Sequence, residues 1–167
     1  MTDGDSEETA WIARLSERVL ELVFARQYDQ AREAIESARQ DISSRHIDRL
    51  ISLASFLENE MGHHEKSINL MRAAIQRRPN WPPHLYQLSV FLMDMGRLSD
   101  ADLILDQLIS LCERTNDPYF LDDARFRKII CLKALEREEE IAMHKEKLPT
   151  DASSFIGNRL YKLTDLD

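Results

Sequence analysis

Glycine and proline are scarce in this 167-residue chain, with four and five copies. A sheet-rich domain with many tight turns needs more of both, and the abundance of Ala, Leu, Ile, Glu and Arg favours helices. With glycine only at positions 4, 62, 96 and 157, a phosphate-cradling loop has little to work with, and neither G-x-x-x-x-G-K-[ST], G-x-G-x-x-G nor G-x-S-x-G occurs. No apolar run approaches the ~20 residues that span a bilayer. Only two cysteines, Cys112 and Cys131, are present, without a C-x-x-C pair. They read as buried free thiols in a reducing cytoplasm rather than as a disulfide or zinc site. Positive charge is also short: 22 basic against 30 acidic side chains leave a formal charge of −8. Such a surface disfavours nucleic acid and anionic membrane, which clustered Lys and Arg would bind.

What the chain does contain is a repeat. Residues 48–81 superpose on 82–115 with a shift of 34 and no gap, so that Gly62 falls on Gly96, Ser67 on Ala101 and Ile51 on Leu85. A period of this length in helix-forming sequence predicts stacked helical hairpins, whose usual work is to hold another protein. The apolar spacing predicts four of them. The first runs from about Thr9, through a stripe of Trp11, Ile12, Leu15, Val19, Leu22 and Val23, to a turn near Arg26 and a second helix carrying Ala31, Ala34, Ile35 and Ala38. The second spans roughly Ser44–Arg77, folded at Gly62. The third starts at Pro82-Pro83, where missing N–H groups are harmless, and folds at Gly96. The fourth has a long first helix from Phe120 to Leu135 and a returning helix over Glu138–Lys147.

The pattern Gly62, Ser67, Ala74, Pro79-Asn80 resembles the tetratricopeptide repeat family. The third hairpin keeps Gly96 to Ala101 and then departs, with Leu108 in place of the second Ala. The first matches through Tyr28-Asp29-Gln30-Ala31 and Ala38 but has Arg26 where Gly is usual. The resemblance covers roughly residues 12–149. It implies an all-α, right-handed helical-hairpin solenoid of three to four repeats. The expected organisation is an acidic disordered tail over residues 1–9, a repeat domain over 10–149, and a capping helix over 150–167 built on Phe155, Ile156, Leu160, Tyr161 and Leu163.

The resemblance further implies that the first helix of each hairpin lines a concave groove. The candidate binding residues are then Leu20 and Phe24, with Ser16 and Val23 beside them; Arg49, Phe56 and Asn59, with Ser52 and Glu60; and Tyr86, Val90, Met93 and Asp94. Phe120 and Lys128 extend the set into the fourth hairpin. Aromatic groups dominate such a surface, since each buries ~150–250 Å² when covered. The Lys-Asn-Arg carboxylate clamp of one subgroup is missing, because Ser16 and Leu20 occupy its first-hairpin positions.

Sharper chemistry finds little support. His63-His64-Glu65 lacks the further ligands a metal needs and reads as a solvated turn. The Glu136–Glu140 run suits a helix start, where carboxylates meet the positive end of the dipole. Trp81 reads as a staple between repeats or, if exposed, as a binding anchor. The expectation is therefore a non-catalytic, cofactor-free cytoplasmic module that grips a protein or peptide segment, without nucleic-acid or membrane partners. Small bacterial secretion chaperones are similar in size and repeat number. The alternatives are a toxin-neutralising immunity protein, using the acidic surface, and a self-associating structural unit such as a homodimer.

Overall fold

The computed structural model describes residues 3–156 and 159–166, with the side chains of residues 3–5 left out of the description. The chain folds as two compact units, Met1–Pro79 and Asn80–Asp167.

The first unit holds α1 (Asp3–Phe24), α2 (Tyr28–Asp41), α3 (Ile47–Glu60) and α4 (His64–Arg77). Helix α1 packs on α2 and α3, and α3 packs on α4. Helix α1 starts at Asp3, so the expected tail of residues 1–9 is helical wherever it is described; Met1 and Thr2 lie outside the described residues. Val19, Leu22, Val23, Ala31, Ile35, Ala38, Leu50 and Leu57 form the core. Glu58 is buried among cations, with its carboxylate 2.7 Å from His63 Nδ1 and accepting from Lys66 Nζ at 2.8 Å. Burial alone would raise its pKa, but the hydrogen bonds from Lys66 and His63 outweigh that and hold it below the usual carboxylate value.

The second unit contains α5 (Pro82–Asp94), α6 (Leu98–Thr115), α7 (Leu121–Ala134) and α8 (Glu138–Lys145). Pro82 and Pro83 occupy the first two helical positions of α5. Helix α6 packs between α5 and α7, and α8 returns along α7. The segment after Pro149 departs from expectation. In place of a capping helix, β1 (Ser153–Ile156) pairs antiparallel with β2 (Arg159–Lys162), and a 3-10 turn follows over Leu163–Leu166. Phe155 faces Leu160 across the ribbon and Ser154 faces Tyr161. β-Branched and aromatic side chains fit such a pleated surface.

The same turn closes all four hairpins. Arg26, Gly62, Gly96 and Glu136 are left-handed, with φ of 58°, 80°, 69° and 58°. At each, the residue after it donates its N–H five residues back: Gln27 to Leu22, His63 to Glu58, Arg97 to Leu92 and Arg137 to Leu132. The left-handed residue itself donates three back, which completes a Schellman motif. No atom lies within 4 Å of a Cβ added at Gly62 or Gly96, so substitution there strains the backbone alone. Gly96→Ala is expected to cost about 1 kcal/mol. Conversely, Arg26→Gly is expected to stabilise by roughly 0.5 kcal/mol, because relief of a ~1–2 kcal/mol left-handed penalty exceeds the entropic cost of glycine in the unfolded chain. Urea unfolding of the two variants checks both signs.

Small residues sit where the returning helices press on their partners: Ala31, Ser67, Ala74 and Ala101 have no exposed surface. Ser55 Oγ donates to the carbonyl of Ser67 at 2.8 Å where α3 meets α4. Its counterpart Ser89, 34 residues on, instead donates within its own helix to Tyr86 at 2.7 Å.

Beneath the fourth hairpin lies a charge cluster that patterning did not predict. Lys128 is 1% exposed, with Nζ 2.5 Å from Asp102 and 2.8 Å from Asp106. Arg137 reaches the other oxygen of Asp102 at 2.6 Å. Its pKa is raised, first by the hydrogen bond to Glu140 and then by that to Asp102. His144 is buried nearby, and its pKa is pushed below 6.5, first by burial and then by Lys128. A depressed histidine pKa means that the unfolded chain takes up the proton first. Stability is expected to fall as pH drops below about 6.5 toward the folded value. In urea titrations at pH 7.5 and 5.5, His144→Gln should lose less stability across that interval than the parent; an equal loss would remove His144 as the cause.

Candidate interaction surfaces

In the first unit, α1 and α3 present Leu20, Phe24, Arg49, Phe56 and Asn59. Phe24 is the most open of them, 74% exposed, at the last position of α1. Its ring meets Phe56 edge-on, with centroids 6.5 Å apart. Leu20, Arg49, Phe56 and Asn59 are half-buried, and Asn59 Oδ1 lies 3.1 Å from His64 Nδ1. Burial, followed by the repulsion of Arg78, lowers the pKa of Arg49. The flanking Ser16 turns back to donate to the carbonyl of Ile12 at 2.8 Å, and Val23 belongs to the core instead of the surface. An edge-on aromatic pair with one ring largely exposed offers apolar area to a ligand.

In the second unit, Tyr86, Val90, Met93 and Asp94 lie on α5. Met93 is buried, Val90 half-buried and Asp94 exposed. Tyr86 is at the centre of a constellation. Its ring packs against Phe120 at 5.0 Å, and Phe120 meets Tyr119 edge-on at 4.7 Å. Tyr119 is 80% exposed. The Arg127 guanidinium lies over the Tyr86 ring, 5.2 Å from its centroid, and donates to its hydroxyl at 3.0 Å. Burial pushes the Tyr86 phenol pKa up, against the lowering effect of Arg127.

Arg127 and Asp123 lie outside the groove set that the repeat pattern predicts. Arg127 Nε donates to Asp123 at 2.7 Å, and Nη2 donates to the backbone carbonyl of Phe155 on β1 at 2.8 Å. Ser154 Oγ donates to Asp123. The spacing of Asp123 and Arg127 is a readable helical ion pair, but only the folded chain shows that a strand returns to meet it. Lys128, by contrast, is no groove residue: it points from α7 into α6, where Asp102 and Asp106 receive it. The two faces of α7 thus have different work, one joining the hairpins and the other meeting Tyr86 and β1.

Among the described residues, no group of three or more His, Cys, Asp or Glu is placed to hold a metal, and no helix is long and apolar enough to cross a membrane. Both cysteines are free and buried.

No family model and no curated protein matches the chain. Solved structures do. A putative kinesin light chain from Podosopora anserina, described as having nearly identical TPR-like repeats, is similar at a TM-score of 0.65 and 15% identity, over 81% of this chain and 72% of that one. MamA of AMB-1 is similar at a TM-score of 0.59 and 15% identity, over 81% and 70%. YrrB, described as a TPR protein with an unusual peptide-binding site, is similar at a TM-score of 0.57 and 16% identity, over 75% of this chain and 61% of that one. At such identities the likeness is one of fold. With its four hairpins and their common turn, this all-α chain has the tetratricopeptide-repeat fold.

Proposed function

We propose that the chain is a non-catalytic interaction module, adaptor or chaperone-like, that holds a segment of another protein on the exposed faces of its first-position helices. The carrying observation is the Phe24–Phe56 pair, one ring largely open and the other half-buried. Phe24 does not stand alone but pairs with a second ring, and aromatic anchors are enriched among the residues that carry binding energy at protein interfaces. Leu20, Arg49 and Asn59 lie on the same two helices as the pair, and Tyr86, Val90 and Asp94 form the corresponding set on α5, where Met93 is enclosed. The peptide-binding site of the similarly folded YrrB supports a segment as the ligand. A cytoplasmic setting fits the two free thiols.

Capture from cells on immobilised protein, followed by titration of the identified partner, tests the proposal. Phe24→Ala with Phe56→Ala is expected to weaken binding at least ~10-fold, since truncating a hot-spot residue commonly costs more than about 1.4 kcal/mol. Unchanged affinity, with unchanged circular dichroism, would refute the aromatic anchor. The net charge of −8 favours a second reading in which the partner is basic, as in toxin neutralisation. The association rate should then fall steeply between low and physiological salt; a salt-independent rate rejects it.

A further inference from the structure

The C-terminal ribbon lies on the face of α7 that also meets Tyr86. Four hydrogen bonds seat it and the turn that follows: Arg127 donates to the carbonyl of Phe155, Ser154 donates to Asp123, and Lys133 and Lys145 both donate to the carbonyl of Leu166, at 3.0 and 3.1 Å. The apolar anchor is Leu166 of the closing turn, buried with Phe126, Ile129 and Leu132, and Ala152, Tyr161 and Leu163 pack partly buried against the same cluster. Phe155 and Leu160, paired across the strands, remain 65% and 43% exposed. An open cleft of about 360 Å³ separates Tyr119 and Asp122 from Asp151 and Ser153.

We infer that this ribbon is a resident strap on α7, competing with an incoming extended segment for Arg127 and Asp123; the inference rests on the interaction-module reading above. Arg127 recognises a main-chain carbonyl and Asp123 a hydroxyl. Those are groups that any extended segment with a serine or threonine provides, so the strap and a ligand would use the same donors and acceptors. Two strands of four residues each are too short to be stable without the surface they lie on. Strands with Phe155 and Leu160 this exposed, anchored at one end by Leu166, open without global unfolding.

The full chain allows a test that needs no outside partner. The probe is a fluorescein-labelled synthetic peptide with the sequence of residues 151–167. Against the parent chain the tethered ribbon should exclude it, because a short tether corresponds to a millimolar effective concentration. Against Ser154→Ala with Tyr161→Ala, whose own ribbon has lost contacts that the peptide retains, binding should strengthen at least ~10-fold. Adding Arg127→Ala to that variant should return binding to the parental level. Equal binding to parent and weakened variant, or binding indifferent to Arg127, overturns the strap.

Hydrogen exchange on the unaltered chain is independent of how any variant folds. Ribbon amides of β1 and β2 should exchange at least ~100-fold faster than those in the middle of α7, as expected for a sub-global opening; equal rates refute displacement. Should the peptide experiment succeed while no partner protein can be captured, the displaceable ribbon stands and the interaction reading, with the competition built on it, fails. A captured partner with a non-exchanging ribbon gives the reverse.

Discussion

Asp102→Ala is expected to destabilise the protein by about 3–5 kcal/mol, the range for breaking a buried ion pair by removing one member. The carboxylate forms an ion pair with Lys128 at one oxygen and accepts from Arg137 on the other. Lys128 would then keep the backbone carbonyl of residue 102 and Asp106, whose side chain is half open to water. The ammonium of a lysine 1% exposed is largely desolvated, and one half-exposed carboxylate compensates that only in part. Arg137 would lose less, since it also pairs with the exposed Glu140 at 2.6 Å. Replacing both charges, Asp102→Leu with Lys128→Met, should cost far less than the sum of the single changes, because no orphaned charge remains. A double-mutant cycle in urea measures the difference. If the single change costs under about 1 kcal/mol, the cluster is wetter or looser than its geometry implies.

Ala101→Leu carries the second large effect. Ala101 has no exposed surface on α6, at the position where Ser67 presses on Ser55 in the preceding hairpin. The larger side chain has no space to enter, so α5 and α6 must separate or neighbouring side chains must leave their rotamers. The expected cost is ~1–3 kcal/mol. Leu103→Ala on the same helix is the control, since Leu103 is exposed and its loss should fall within ~0.5 kcal/mol. Equal stability of Ala101→Leu and the parent would contradict the role of small residues in closing the hairpin.

The hairpins are legible in the sequence because two independent signals agree on them. Apolar spacing marks the helices, and Gly62 with Gly96 marks the turns. Arg26 and Glu136 adopt the same left-handed turn without glycine, so in the outer hairpins only one signal remains. The ribbon hides because Phe155, Ile156, Leu160 and Tyr161 satisfy a helical spacing as well as a strand pairing. Strand pairing depends on which residues meet across the turn, and a helical period carries no such information. The buried Lys128 has no signal at all. A lysine among Arg and Asp residues looks solvent-facing until the partner helix supplies Asp102. Of the groove set, Phe24 and Phe56 are surface groups, whereas Met93 is enclosed and Tyr86 is tied to Arg127.

The two cysteines offer an experimental handle. Both are buried, on α6 and α7 of the second unit, and burial pushes the Cys131 thiol up to about 12. The first unit has none. A thiol reagent at neutral pH therefore ignores the folded chain and modifies it only when the second unit opens. Its rate is a clock for that half alone, read without introducing a probe.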